Sequence, residues 1–285
     1  MQQIPNNQAS AVQLDRLVRN ARTSHIVPVS GGKDSTALAL RLKELYPATK
    51  FIYVYTPTGD ELPEMQEQWP KLEKLLGQEI VGIETPTLKE LILDFMMLPN
   101  FNSRWCTRII KIEAIQEFYN DHKPAVVYIG LRADEATREG NRLLDADIKQ
   151  CHPMQEWGWG IKEVRGYLKK RGVTIPRRTD CGMCFYQRLD EWYSLWEQYP
   201  DKWREYEDLE FFVGHSLLTP GKWGKGKPTW LFEMRCAFEN GWMPREVAWT
   251  KKKIVELKTR PKLWPEEIPQ MYDYGTRSKC RVCSL

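Results

Sequence analysis

The sequence predicts an α/β fold: a parallel sheet covered by helices, followed by a mainly helical, cysteine-containing C-terminal region. Three observations predict it. Short β-branched or aromatic runs recur between residues 25 and 130 with helical segments between them, the rhythm of parallel βαβ units. The first run stops at two adjacent glycines that lead into a helix. Beyond residue 150 the alternation gives way to Trp, Tyr and charged residues.

Taken in order, residues 10–23 suit a helix ahead of the sheet. His25-Ile26-Val27-Pro28-Val29 is the first strand. Pro28 fits a central strand poorly because it has no amide hydrogen to donate, but Ser30-Gly31-Gly32 ends the run cleanly. Thr36–Leu45 follows as a helix, with Leu38, Leu40, Leu42 and Leu45 over a broad apolar face. Phe51–Tyr55 is a second strand, closed by Thr56-Pro57-Thr58-Gly59. A helix over 62–76, a strand over Gln78–Ile83 and a helix over Leu88–Met97 continue the pattern. Residues 107–120 read as an amphipathic helix and Ala125–Gly130 as a short buried strand. Later segments are less regular: helices over 161–171 and 188–199, a proline-bounded cysteine loop over 176–187, and a loop rich in Gly, Lys, Pro and Trp over 214–230. The expected domains are 1–150 and 151–285.

Composition narrows the class. An apolar fraction of 42% and a charged fraction of 28% over 285 residues support a packed core and argue against wholesale disorder. No segment approaches the roughly 20 consecutive apolar residues that span a bilayer, and no membrane partner is expected. The opening MQQIPNNQAS lacks the basic and apolar parts of a signal peptide, so the expected location is the cytoplasm. A net charge of +4 is too small to indicate nucleic-acid binding by itself. Residues 251–285 hold nine basic and four acidic side chains, a phosphate-facing surface or an ordinary solvated one.

Seven cysteines, an odd number, argue against a complete disulfide framework. Cys181-Gly182-Met183-Cys184 and Cys280-Arg281-Val282-Cys283 are CxxC pairs, each placing two thiolates within reach of one ion or cluster. A zinc ion held by Cys181, Cys184, Cys280 and Cys283 is one solution, and an iron-sulfur cluster that also draws on Cys106 is another.

The sharpest motif is Ser30-Gly31-Gly32-Lys33-Asp34-Ser35, between a strand and a helix start. Free amides and the helix dipole there favour an anion. Gly31 and Gly32 let the backbone wrap closely around it. The Ser30 and Ser35 hydroxyls and the Lys33 ammonium add donors, and Asp34 suits Mg2+ held through water. The spacing is not that of a Walker A loop.

This hexapeptide closely resembles the SGG-x-D-S loop of the ATP pyrophosphatase group, the PP-loop or adenine nucleotide alpha-hydrolase-like proteins. The resemblance implies that residues 30–35 hold the β,γ-pyrophosphate of ATP with Mg2+, and that chemistry occurs at the α-phosphorus. Thr58-Gly59-Asp60-Glu61-Leu62-Pro63-Glu64 is similar to the TG-x-x-x-PE element of phosphoadenosine phosphosulfate reductase-like proteins. Gly130-Leu131-Arg132-Ala133-Asp134-Glu135-Ala136-Thr137-Arg138 is similar to their G-x-R-x-x-E-x-x-R segment. Thr58, Gly59, Gly130, Arg132 and Arg138 are nucleotide-side candidates on this basis, and Glu135 can fix an arginine by an ion pair. Cys106-Thr107-Arg108-Ile109-Ile110-Lys111 resembles the family's cysteine-to-lysine segment and adds Lys111. Lys33, Asp34 and Arg132 are the expected catalytic groups.

The branch is less defined. The chain ends Lys279-Cys280-Arg281-Val282-Cys283-Ser284-Leu285 and lacks the ECG-x-x-H type segment of assimilatory phosphoadenosine phosphosulfate reductases. Its cysteines resemble those of [4Fe-4S]-bearing relatives, including sulfur-transferring PP-loop enzymes and the iron-sulfur PP-loop proteins of DNA phosphorothioation. The implied function is ATP-dependent adenylylation or sulfur transfer, with DNA or RNA as acceptor and a protein as sulfur donor. The alternatives are a reductase of adenylyl sulfate or phosphoadenylyl sulfate, and a non-catalytic nucleotide-sensing or nucleic-acid-binding accessory protein. The oligomeric state is open, a homodimer being one option.

Overall fold

The computed structural model describes residues 14–135, 145–176, 178–217 and 229–248. Five parallel strands form one sheet: β1 (Ser24–Pro28), β2 (Phe51–Tyr55), β3 (Val81–Gly82), β4 (Ala125–Tyr128) and β5 (Ile148–Cys151), in the order β3-β2-β1-β4-β5. Helix α1 (Lys33–Leu45) joins β1 to β2, and α2 (Pro63–Leu76) joins β2 to β3. The chain then passes through α3 (Leu88–Phe95), a π-wound segment Thr107–Glu113 and α4 (Ala114–Asp121) before entering β4 on the other side of β1. Strand order therefore reverses between β1 and β4.

Alternation along each strand loads both faces of the sheet. Val27 and Val29 of the first run, Tyr53 of β2 and Val126 and Tyr128 of β4 join a core with Leu38 and Leu42 of α1 and Leu72 of α2. Ile26, Val54, Ala125, Val127 and Ile148 point the other way, with Tyr119 of α4. Helix α6 (Ile161–Lys170), after the short α5 (Pro153–Glu156), adds Val164 and Leu168 to the first core.

Pro28 is accommodated in central β1 because it comes last. The Val29 amide donates to the Val54 carbonyl on β2, 2.8 Å away. Alternation turns the missing Pro28 donor toward β4, where pairing has already ended at Ile26↔Val127. Several elements differ from the sequence expectation. The third strand is only Val81–Gly82, an edge strand paired to Val54 and Tyr55. The expected helix over 107–120 is π-wound in its first half. Strand β5, unanticipated, has only its end residues Ile148 and Cys151 buried, so its edge position leaves a weak hydrophobic signal.

The described residues group into two compact units. One comprises those up to Thr87 with Thr107–Thr179, and holds the sheet. The other comprises Leu88–Cys106 and those from Asp180 on, with α3, α7 (Leu189–Gln198), α8 (Pro200–Val213) and α9 (Leu231–Glu239). Its core is aromatic: Trp192 and Trp203 are fully buried and meet edge to face at 5.9 Å, and Phe238 contacts Tyr193, Trp196 and Trp203. No described helix is long and apolar enough to cross a membrane.

Candidate functional site

In an open parallel sheet the crevice at the carboxyl ends of strands, where strand order reverses, is where loops diverge and leave room for a ligand. Here that point lies between β1 and β4. The β1 loop reaches α1 through Gly31, at φ 72°, and Gly32, the helix N-cap. A Cβ on Gly31 would stand 2.4 Å from Met65 Cε and 3.1 Å from Trp69. The close approach and the left-handed backbone both require glycine here. Among the described residues no side chain caps α1, so its first-turn amides present a concentrated positive edge. The two serines brace this turn. Ser30 N donates to Ser35 Oγ at 3.1 Å, the two hydroxyls are 3.1 Å apart, and Ser35 Oγ donates to Gly32 O at 3.2 Å.

The loop after β4 closes against the same helix start. A Cβ on Gly130 would lie 3.4 Å from both Asp34 C and Ser35 N. Two residues on, Arg132 is only 8% exposed. Its Nη1 donates to Asp34 Oδ2 at 2.9 Å and its Nε to Asp134 Oδ1 at 2.8 Å, with Glu135 Oε2 3.5 Å from Nη1. Burial opposes the guanidinium charge, but the three carboxylates outweigh it and hold the pKa above the ordinary arginine value. Lys33 Nζ reaches the same Asp34 oxygen at 3.1 Å. The other one, Oδ1, is buried with no hydrogen-bond partner among the described residues. An unsatisfied buried carboxylate oxygen beside a helix start suits a hydrated cation.

Thr58 and Gly59 lie just beyond the end of β2. Gly59 has φ 73°, and a Cβ there would come within 2.6 Å of Thr87. Thr58 donates through both N and Oγ1 to Glu61 Oε1, at 2.6 and 2.8 Å. The turn is thus fixed by Glu61. Lys111 is half-buried in the π-wound segment, in the same unit. Arg138 lies outside the described residues. Residues 30–35 and 130–132 are therefore in direct contact, with Thr58 and Gly59 at the adjacent strand end. Asp134 and Glu61 are the functional-side groups that motif reading missed. Each fixes a motif residue from two or three positions away, and neither is marked by a repeating pattern.

Cys106, Cys181 and Cys184 belong to the second unit. The Cys184 amide donates to the Cys181 carbonyl at 3.2 Å, so one tight turn carries both. Phe101 meets Phe185 and Tyr186 edge to face at 5.2 and 4.8 Å, and Arg104 lies over Tyr186. These contacts bring the segment leading to Cys106 against the CxxC turn. The turn fits half of a thiolate site. No group of three or more His, Cys, Asp or Glu among the described residues is arranged to hold a metal ion, and Cys280 and Cys283 lie outside those residues. Cys151 is a different kind of cysteine. Burial, reinforced by Glu156, pushes its thiol up to about 12, which makes it an inert core group. Burial lowers the pKa of neighbouring His152 and likewise of His25, which shares a hydrogen bond with the Tyr128 hydroxyl.

Known proteins place the chain in context. It is 24% identical over 218 residues, and 23% over 228, to two uncharacterized proteins of Methanocaldococcus jannaschii, covering 70% and 74% of this chain. It spans about half the length of these relatives, 45% and 54%. Among solved structures, a phosphoadenylyl-sulfate reductase from Candida auris in a phosphate complex aligns with TM-score 0.46 and 16% identity, over 59% of this chain and 85% of that one. The U34-tRNA thiolase NcsA from Methanococcus maripaludis, with its [4Fe-4S] cluster, aligns with TM-score 0.47 and 17% identity, over 79% of this chain and 85% of that one. The model of the phosphoadenosine phosphosulfate reductase domain matches residues 24–181, a stretch that opens with β1, takes in both loops of the crevice and ends on the first cysteine of the CxxC turn. With more than half of its residues so matched, the chain belongs to the phosphoadenosine phosphosulfate reductase domain family.

Proposed function

We propose that this protein binds ATP with Mg2+ at the β1–β4 crevice and transfers the adenylyl group to an acceptor oxygen, which is then exchanged for sulfur. The observation that carries the reading is the uncapped start of α1, entered through Gly31 at positive φ and faced by Arg132. The outer phosphates would lie along the amides of residues 31–35 beside Lys33. Two cationic side chains, Lys33 and Arg132, stand among three carboxylates, Asp34, Asp134 and Glu135, one net negative charge. Phosphate binding there calls for a divalent cation beside the amides, and the unpartnered Asp34 Oδ1 is the group to orient its water shell.

In this reaction the acceptor oxygen attacks the α-phosphorus as the bond to the β-phosphate oxygen breaks. Pyrophosphate leaves with its charge compensated by Lys33, Mg2+ and the amides. A hydrosulfide-level nucleophile from a donor protein then displaces AMP from the activated carbon, and sulfur takes the place of oxygen. DNA or RNA is the acceptor we favour. Bound at Cys181 and Cys184 with thiolates from Cys106, Cys280 or Cys283, a [4Fe-4S] cluster would supply an iron able to hold sulfide, whereas zinc on the paired cysteines would be a structural tie.

The test is product analysis with α-labelled ATP, Mg2+, sodium sulfide and bulk tRNA or DNA. AMP and pyrophosphate in equal amounts are expected; ADP with orthophosphate would reject the reading. Lys33→Ala should weaken ATP binding about tenfold, a loss typical of one charge-assisted contact. Its thermal midpoint should stay within a degree or two of wild type, because the ammonium is partly exposed.

A further inference from the structure

We infer that Asp134 is a positioning residue for the nucleotide, acting through Arg132. It lies between two elements of the sheet-bearing unit. One oxygen, Oδ1, accepts from Arg132 Nε at 2.8 Å, and the other, Oδ2, accepts from the Ile161 amide at the start of α6 at 3.2 Å. The carboxylate thus transmits the fixed position of a helix end to a side chain that would otherwise have several rotamers. With Nε held by Asp134 and Nη1 by Asp34, neither of these bonds uses Nη2, which is left as the guanidinium corner for a phosphate oxygen.

Two features argue that the contact serves the arginine rather than the helix. The Gly160 amide that leads into α6 is bound separately, because Glu163 Oε2 accepts from it at 2.9 Å. The 131–135 segment is docked independently, by the Ala133 amide donating to the Trp159 carbonyl at 2.9 Å. Removing the Asp134 carboxylate therefore leaves both backbone attachments in place while freeing Arg132 to turn fully toward Asp34 and Glu135. Asn at 134 can accept from Arg132 Nε only by turning its amide NH2 toward the Ile161 N–H, so it restores one of the two bonds.

This inference rests on the nucleotide-binding reading above, and a double-mutant cycle separates the two. ATP with Mg2+ is titrated calorimetrically into wild type, Asp134→Ala, Arg132→Ala and the double variant, with Asp134→Asn as the conservative replacement. Each single alanine variant is expected to bind ATP about tenfold more weakly. The double variant should be no weaker than Arg132→Ala alone, since Asp134 has nothing left to position, and Asp134→Asn should fall between wild type and Asp134→Ala. Asp134→Ala binding within twofold of wild type, or a double variant weakened by the product of the two single effects, would overturn the role of Asp134 while leaving the site intact. Wild type that takes up no ATP would overturn the nucleotide reading and this inference together. If Asp134→Ala is poorly folded, Asp134→Asn carries the cycle. Weaker binding than wild type that vanishes in the Arg132→Ala background supports the role, and a loss that persists undiminished in that background overturns it.

Discussion

Two neighbouring glycines in one motif do different jobs. Gly31 has φ 72° and the Met65 methyl 2.4 Å from where a Cβ would be. Gly32, at φ −73° and ψ 165°, is in extended backbone, and its nearest neighbours to such a Cβ are at ordinary contact, 3.5 and 3.6 Å. Gly31→Ala should cost about 2 kcal/mol, from left-handed strain and the displaced methionine, and Gly32→Ala well under 1 kcal/mol. Urea unfolding of the two variants checks this, and equal losses would contradict it. The SGGKDS motif was legible in the sequence because glycine, lysine and hydroxyl side chains at a strand-to-helix junction have few other uses. The pairing of Asp34 with Arg132 was not legible, since 98 residues separate them; family resemblance marked Arg132 only as a nucleotide-side residue. Asp134 was not legible, because a carboxylate two places from an arginine is ordinary in any solvated loop.

Helix α8 shows the same limit for an element. Its Glu210 is 1% exposed, and the carboxylate accepts from the Leu217 and Leu231 amides, both at 2.7 Å, and from the Ser216 hydroxyl at 3.3 Å. One side chain thereby fixes the end of the helix to the start of α9, fourteen positions along the chain from Leu217. Burial raises its pKa to about 7, against the lowering effect of the three donors and with Glu207 adding to it. Between the ordinary 4.5 and about 7 the folded protein holds a proton that the unfolded chain has released. Stability therefore falls as pH rises through that window, by up to roughly 3 kcal/mol. Glu156, also raised by burial, contributes in the same sense. Glu210→Gln should reduce the difference between urea midpoints at pH 5 and pH 8; an unchanged difference would assign it elsewhere. Strands β1, β2 and β4 were readable because they are largely buried and so nearly continuously apolar. Strand β5 and helix α8 were not: the first buries only its ends, and the second hides charged residues among its aromatics. The π winding of Thr107–Glu113 has no hydrophobic period of its own to announce it.

At the scale of the molecule, charge decides how a nucleotide is held. The net +4 comes from residues 251–285, whose excess of five basic side chains leaves residues 1–250 at −1. Among the described residues, the ion-paired group of Lys33, Arg132, Asp34, Asp134 and Glu135 sums to one negative charge. A triphosphate carrying close to four negative charges would be repelled by Asp34, Asp134 and Glu135 unless the helix amides and a divalent cation supply the compensation. Binding energy for ATP should therefore depend on Mg2+ far more than on the salt that screens long-range charge. Ligand binding to the folded state alone stabilises by about 2.7 kcal/mol at a hundredfold excess over Kd, or roughly 5 °C in midpoint for a chain of this size. Thermal unfolding with ATP and Mg2+ should show that rise, and EDTA with the same ATP should remove nearly all of it. AMP with Mg2+, lacking the outer phosphates, should give little. A rise that survives EDTA would mean that Lys33, Arg132 and the amides overcome the three carboxylates unaided, and would displace Asp34 from the role of cation partner. A rise as large with AMP as with ATP would move the recognised group away from residues 30–35, because those amides then bind nothing that distinguishes the two nucleotides.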